Sequence, residues 1–205
     1  MALSIFVAFW AVSILFVITP GADWAYAISA GIQGNRIVPA VTGMLGGHLL
    51  ATLIVAAGVG ALITEVPGML SILTIVGAGY LIWLGIGMLR HPSSLVTNDN
   101  EKDDVSWMKW VIKGFCISGL NPKVFLLFLA LLPQFTDIKS SWPLSLQMTA
   151  LGLIHVLSCG VVYLIVGYGS RAVLQARPRS AQIVNRISGA LMIIIAVILL
   201  AESFI

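Results

Sequence analysis

Long apolar stretches that charged residues hardly interrupt limit what this chain can fold into more than any other feature of its sequence. Charged residues make up 9% of the 205 residues and hydrophobic residues 59%. Soluble chains contain about 25% charged and about 45–50% apolar residues. So few charges cannot cover a water-exposed surface, and we expect an integral membrane protein. This expectation excludes nucleic-acid readers and most classes of soluble enzyme.

Six stretches are apolar and long enough to cross a bilayer as helices, which takes about 20 residues each. They cover residues 3–33, 38–63, 69–89, 107–135, 144–170 and 183–203. The sequence therefore predicts an all-α integral membrane protein with six transmembrane helices. A polar segment, residues 91–106, separates the first three spans (residues 1–90) from the last three (residues 107–205) and is predicted to be a cytoplasmic linker.

The distribution of cations predicts the orientation in the membrane. Nine Lys and Arg residues fall on one side of the six spans: Arg36, Arg90, Lys102, Lys109, Lys113, Arg171, Arg177, Arg179 and Arg186. The other side receives Lys139. Cytoplasmic loops carry the excess of cations in membrane proteins. We therefore expect both termini on the extracytoplasmic side.

The two halves of the chain have similar residues at corresponding positions. The matched positions are Thr19-Pro20-Gly21 with Asn121-Pro122-Lys123, Thr42 and His48 with Thr149 and His155, and Gly77-Ala78 with Gly189-Ala190. Three spans per copy is an odd number, so the second copy would be inserted upside down. Inverted repeats with broken helices are typical of secondary transporters. The alternative is that two apolar three-helix units resemble each other only in composition.

Prolines in the middle of the first and fourth spans predict two helix breaks. Asn121-Pro122 has the pattern of an N-cap residue followed by a proline in the first helical position. Thr19-Pro20 has the same pattern, and Gly21 adds flexibility. Two half-helices would begin near the bilayer midplane, where their N-termini attract anions such as a carboxylate. Two proline kinks repaired by neighbouring helices are the alternative.

Asp23 and Lys123 are charged residues well inside apolar spans. Each costs about 2.5–3.5 kcal/mol near the bilayer centre on insertion scales, and such residues usually pair or face a water-filled path. We expect both to face one central cavity, where Asp23 binds a substrate ammonium. Lys123 would bind a carboxylate, or hold Asp23 when the site is empty. A purely structural ion pair is an open alternative.

His48 and His155 lie inside spans at matched positions. They could relay protons, because histidine titrates near neutral pH, or they could hydrogen-bond neighbouring helices. A metal site that uses both would need further ligands, and we find none at a useful spacing.

Several other residue types have predicted packing roles. Cys116 and Cys159 are expected to be small buried hydrophobes. Trp107, Trp110 and Trp142 are expected at the membrane interface. Close helix approach is expected at three glycine pairs: Gly43 and Gly47, Gly77 and Gly79, and Gly85 and Gly87.

Four segments of the sequence resemble a known family. VITPGADW (Val17 to Trp24), GAGYLIWLGIGML (Gly77 to Leu89), GLNPKVFLLFLALLPQF (Gly119 to Phe135) and NRISGALMII (Asn185 to Ile194) are similar to segments of the LysE/RhtB amino-acid exporter family. The resemblance implies a bacterial inner-membrane exporter of amino acids or close derivatives. It implies that the signature positions are Pro20, Gly21, Asp23, Asn121, Pro122 and Lys123. The family often has a second proline where this chain has Ala22, so the first break is expected to be less rigid.

The sequence thus predicts a secondary transporter rather than an enzyme, with no cofactor and no metal. Its partners would be an amino-acid substrate and membrane lipid, and the glycine-lined faces permit a homodimer. The predicted substrate-binding residues are Thr19, Pro20, Gly21, Asp23, Asn121, Pro122 and Lys123. Proton antiport would use Asp23, with His48 and His155 as further candidates. An exporter of small cations or metal ions on the same scaffold is the alternative, and it would need several acidic, histidine or thiol groups on facing spans.

Overall fold

The computed structural model describes residues 1–33, 36–66, 68–90, 106–173 and 178–203. Its α-helices are α1 (Leu3–Val17), α2 (Ala22–Ile32), α3 (Ile37–Glu65), α4 (Met69–Arg90), α5 (Trp107–Gly119), α6 (Pro122–Leu131), α7 (Leu144–Val173) and α8 (Pro178–Ser203). A short 3-10 helix, Pro133–Phe135, follows α6. Because these described ranges contain helices and no strands, the all-α prediction is confirmed. Of the predicted linker, Ser106 is described and residues 91–105 are outside the described residues.

Not every helix is long and apolar enough to cross a membrane alone. Among the described residues, α3 and α7 are, over Ile37–Val59 and Leu144–Ser170. The pairs α1–α2 and α5–α6 each make one span only if the two members are joined across a bend, of 65° and 52° respectively. In α4 and α8 the apolar stretches are shorter, Thr74–Gly87 and Gly189–Ile198. Length and composition thus give up to four spans here, and the number six stays a prediction.

The second helix break has the predicted form. α5 ends at Gly119, and α6 begins with Pro122 directly after Asn121. The Asn121 side chain accepts a hydrogen bond from the Lys123 backbone N–H at 3.0 Å, so it caps the helix. Pro122 occupies the first helical position, where the N–H that it lacks has no intrahelical partner.

The first helix break lies where it is predicted but is built differently. The N-cap of α2 is Gly21 in extended conformation, and no side chain caps this helix. The prediction of Thr19 as a cap is therefore wrong. Its hydroxyl instead donates a hydrogen bond to the Leu15 carbonyl of α1 at 2.6 Å. The Trp24 indole N–H donates to the Val17 carbonyl at 2.9 Å, which satisfies a backbone acceptor that the end of α1 leaves free.

Glycines bring the helices together on some of the predicted faces. Gly47 of α3 lies against Gly119 of α5: a Cβ on Gly47 would be 2.5 Å from the Gly119 nitrogen. Gly43 also contacts α5, Gly77 contacts Ala130 of α6, and Gly85 contacts Gly189 of α8. Gly79 and Gly87 face open space, so the packing prediction is wrong for these two residues.

Helices of the first half pack against helices of the second half. α3 packs against α7, and α4 packs against α8. α3 also packs along α5, and α2 along α7. The inversion of the second copy stays a prediction.

Two further packing predictions are wrong. Trp110 is 3% exposed and stacks on Tyr26, whose hydroxyl donates to the Trp110 carbonyl, so Trp110 is a core residue. Trp107 and Trp142 are exposed, as interfacial residues would be. Cys159 is buried as expected, but Cys116 is exposed on α5.

Candidate functional site

A cavity of about 50 Å³ lies between the two helix breaks. Its lining residues are Phe16, Val17, Thr19, Gly21, Ala22, Asp23, Trp24, His48, Asn121, Lys123, Val124, Leu127, His155 and Tyr163. Most of the residues that the sequence singled out as site candidates are in this lining. Pro20 is buried in the first break, and Pro122 opens α6 at the second. The structure therefore brings residues from both halves of the chain to one place.

Asp23 of α2 accepts hydrogen bonds from two other helices, and a histidine of a fourth helix lies nearby. Asp23 stands in the first turn of α2, where the positive end of the helix dipole stabilises a carboxylate. The Ser118 hydroxyl of α5 donates to its Oδ1 at 2.6 Å, and the Tyr163 hydroxyl of α7 donates to its Oδ2 at 3.2 Å. His48 of α3 brings its Nε2 to 3.8 Å from the same Oδ2. The Asp23 side chain is 14% exposed, so these groups supply most of what water would otherwise supply.

The other nitrogen of His48 determines how the ring faces Asp23. Nδ1 lies 2.9 Å from the Met44 carbonyl oxygen. A carbonyl only accepts, so Nδ1 carries a hydrogen. In a neutral ring, Nε2 therefore presents a lone pair to the carboxylate. One added proton, on either group, converts two facing lone pairs into an attractive contact.

Lys123 approaches the same cavity from the second break. Its ammonium nitrogen lies 3.9 Å from the point where a Cβ on Gly21 would stand, so the cation rests against the glycine of the first break. Both charged side chains line the cavity, so the Lys123 ammonium and the Asp23 carboxylate attract each other across it. Among the described residues, the ion-pair contact to Asp23 within 4.0 Å comes instead from His48, which is charged only when it is protonated. The carboxylate is thus held by hydroxyl donors of α5 and α7 rather than by a direct ion pair with Lys123.

His155 and Cys159 form a second polar group beside the first. The His155 Nδ1 lies 2.7 Å from the Ser13 hydroxyl oxygen of α1, and both residues are buried. Cys159 follows one turn later on α7. The nearest ligand atoms of His48, His155 and Cys159 all lie within 4.8 Å of one another.

The sequence analysis does not single out Ser118, Tyr163 or Cys159 as site residues, although the structure places all three at or beside the cavity. His155, Cys159 and Tyr163 stand four residues apart, which puts them on one helix face. Ser118 had a weaker signal, a small polar residue directly before the second break.

Comparison with known proteins now identifies the family. Residues 14–203 match the model of the LysE type translocator family, and the match includes both helix breaks. The chain belongs to this family. A chain with this membership and these apolar helices is a multi-pass membrane transporter and not an enzyme.

The relatives of this translocator include proteins named for export. It is 25% identical over 183 residues to the "Leucine efflux protein" of Klebsiella pneumoniae, covering 86% of this chain and 85% of the relative. It is 29% identical over 194 residues to an "Uncharacterized membrane protein" of Vibrio cholerae, covering 92% and 91%. A "Leucine efflux protein" of an Enterobacter species is 28% identical over 129 residues, covering 61% of this chain and 60% of the relative. No solved structure matches this translocator.

Ala22, where the family often has a second proline, lies in the first helix break. Ala22 is the first residue of α2 and lines the cavity. This is the helical position that suits proline best, because the missing N–H has no intrahelical partner there. Alanine in this position does not fix the backbone φ angle at the first break, whereas a proline would fix it.

Proposed function

We propose that this LysE type translocator exports amino acids or close derivatives from the cytoplasm across the bacterial inner membrane. One observation carries the proposal: the Asp23 carboxylate and the Lys123 ammonium, each beside the start of a half-helix, line the same cavity. A free amino acid carries the complementary pair of charges on its α-carbon. The family membership and the leucine efflux names of two relatives support this substrate class.

The amino acid would be oriented by its two charged groups. Its carboxylate meets the N-terminus of α6, where backbone N–H groups point outward, together with Lys123 and Asn121. Its ammonium meets Asp23. The wall beside these groups is apolar and is formed by Phe16, Val17, Val124 and Leu127. This lining favours a zwitterionic substrate with an aliphatic side chain over a cationic one.

Transport would require movement around the cavity. A volume of about 50 Å³ holds a few water molecules, because a cavity needs about 10–15 Å³ to hold one. An amino acid with an aliphatic side chain is larger. The halves would therefore separate around the midplane to admit the substrate from the cytoplasm and close behind it, as in alternating access.

Proton antiport is the proposed source of energy, with Asp23 as the carrier. A proton and a substrate ammonium compete for the same carboxylate, so release of one accompanies binding of the other. The proton-binding side chains that face Asp23 come from three helices: His48 from α3, Tyr163 from α7 and Lys123 from α6. His48 supports the proposal most directly, because its Nε2 and the Asp23 Oδ2 repel each other until a proton is added.

Counterflow in proteoliposomes tests this function. Vesicles preloaded with unlabelled leucine should accumulate labelled leucine, and an acid-inside pH gradient should change the rate. Asp23→Asn should abolish accumulation, because the neutral amide attracts an ammonium weakly. Asp137→Asn is the matched control, since Asp137 lies outside the cavity lining and its carboxylate accepts a hydrogen bond from the Lys139 N–H. Wild-type counterflow in Asp23→Asn at equal protein content contradicts the proposal.

A further inference from the structure

We propose that His48, His155 and Cys159 form a binding site for a zinc-like divalent cation, and that the bound cation ties α3 to α7. The three residues have exposed fractions of 2%, 3% and 0%, and their ligand atoms lie within 4.8 Å of one another. Zn²⁺ is bound by imidazole nitrogen and thiolate sulfur at about 2.0–2.3 Å. Small rotations of the side chains would bring all three atoms to these distances from one central ion.

The outer contacts of both histidines fit metal binding. A histidine that ligates a metal usually donates its other ring N–H to an oxygen, which fixes the ring orientation. His48 does this with its Nδ1 toward the Met44 carbonyl, and the His155 Nδ1 lies at the Ser13 hydroxyl. In both rings Nε2 is left as the ligand nitrogen. The oxygens that fix the ring orientations thus come from two different helices, from α3 for His48 and from α1 for His155.

Charge balance makes the site tolerable for a divalent ion inside a membrane protein. Metal binding converts the Cys159 thiol to a thiolate, and its proton leaves by way of the cavity. The thiolate and the Asp23 carboxylate together neutralise the two positive charges of the ion. The Asp23 Oδ2 is already 3.8 Å from the His48 Nε2 and is therefore placed to become a fourth ligand or to hydrogen-bond a metal-bound water.

The cation would have a route in and a mechanical consequence. His48 and His155 line the cavity between the helix breaks, so an ion that enters the cavity reaches both rings. α3 belongs to the first half of the chain and α7 to the second. Because alternating access moves the halves against each other, an ion bound to both helices would arrest the cycle. This consequence rests on the proposed function, whereas the binding site itself does not.

Direct binding to purified protein in detergent tests the site. Zn²⁺ should bind with one ion per chain by equilibrium dialysis, and Co²⁺ in its place should give the near-ultraviolet absorption of a cobalt–thiolate bond. Cys159→Ser should abolish this absorption and weaken Zn²⁺ binding by more than about 100-fold, since loss of an outer-shell partner alone costs about 10–100-fold. Cys116→Ser is the matched control, because Cys116 is exposed on α5.

A second variant keeps the test decisive if Cys159→Ser fails to fold. Ser13→Ala leaves all three ligands in place and should weaken Zn²⁺ binding by about 10–100-fold while the cobalt–thiolate absorption remains. Wild-type Zn²⁺ affinity in Ser13→Ala, or in Cys159→Ser where that variant folds, overturns the proposal, and so does the absence of cobalt–thiolate absorption in wild type.

Amino-acid exchange in proteoliposomes tests the mechanical consequence. Zn²⁺ should arrest leucine counterflow in wild type and Cys116→Ser but not in Cys159→Ser. Accumulation of Zn²⁺ inside the vesicles overturns the arrest, because it makes the ion a transported substrate. If no amino acid is exchanged while Zn²⁺ still binds in a Cys159-dependent way, the proposed function fails and the metal site stands.

Discussion

At Asp23, protein donors replace the water that a carboxylate loses when it enters an apolar span. Ser118 and Tyr163 donate to its two oxygens, and neither residue is charged. Hydroxyl donors hold a carboxylate without neutralising it, so its negative charge stays available to a substrate cation. This distinguishes the arrangement from a structural ion pair with Lys123, in which the two charges would cancel.

Removal of the shorter of these hydrogen bonds should be costly. We expect Ser118→Ala to lower the free energy of unfolding by about 1–3 kcal/mol, because it leaves the buried carboxylate short of a donor. Reversible unfolding in mixed micelles measures this change. Ser145→Ala is the control, since Ser145 is an exposed serine in the first turn of α7. Equal stability of the two variants would mean that Ser118 is not needed to hold Asp23.

Sequence reasoning works at this scale where a single residue is costly in lipid. Asp23 and Lys123 were recognised because charge in an apolar span needs an explanation. Ser118, Tyr163 and Cys159 are uncharged and cost little free energy in an apolar span, so the sequence alone does not mark them as site residues. Their role depends on which helices meet, and nothing in the local sequence specifies that α5 and α7 pack near the start of α2.

At the scale of elements, the two breaks show how far a local motif can be read. Asparagine before proline predicted the start of α6 correctly, because a free carboxamide next to a proline has the next N–H within reach. Threonine before proline did not predict a cap. A threonine hydroxyl can also bond to the carbonyl four residues earlier, and Thr19 does so with Leu15 of α1. The side chain before the proline therefore bonds to the end of α1 in the first break, whereas in the second break it caps the start of α6.

This difference predicts unequal effects of two matched substitutions. Asn121→Ala removes a capping hydrogen bond and should lower the free energy of unfolding by about 1 kcal/mol, with a range of about 0.5–2. Thr19→Ala removes no cap and should change stability less. Unfolding of both variants in mixed micelles compares them directly. A larger loss for Thr19→Ala would contradict this order and would mean that the Thr19–Leu15 hydrogen bond contributes more stability than the Asn121 cap.

At the scale of the whole molecule, helix boundaries were more predictable than helix faces. The predicted spans 3–33 and 107–135 agree closely with the ranges of α1–α2 and of α5–α6 with the following 3-10 helix. In a helix that is apolar all round, however, periodicity does not tell which side meets a neighbour. Gly79, Gly87 and Trp110 were assigned to the wrong surroundings for this reason.

Two glycines of similar local sequence should therefore respond differently to a larger side chain. Gly47→Val should destabilise the fold by about 1–3 kcal/mol and lower the yield of folded protein, because a Cβ there meets the backbone of α5. Gly79→Val should be tolerated, since a Cβ there has nothing within 4 Å. Unfolding in micelles and the folded fraction on size-exclusion chromatography measure both. Equal tolerance would contradict the close packing of α3 on α5.

The cations predict the orientation of the whole molecule, and this prediction can be tested at its two surfaces. Lys139 is exposed in the segment between the 3-10 helix and α7, and Arg90 is exposed at the end of α4. The positive-inside pattern assigns the first to the extracytoplasmic side and the second to the cytoplasm. In a background with Cys116→Ser and Cys159→Ser, we expect Lys139→Cys to react with a membrane-impermeant thiol reagent in intact cells. Arg90→Cys should react only after the membrane is permeabilised. The opposite pattern of labelling would mean that the orientation in the membrane is the reverse of the predicted one. The direction of substrate uptake into the cavity would then be reversed as well.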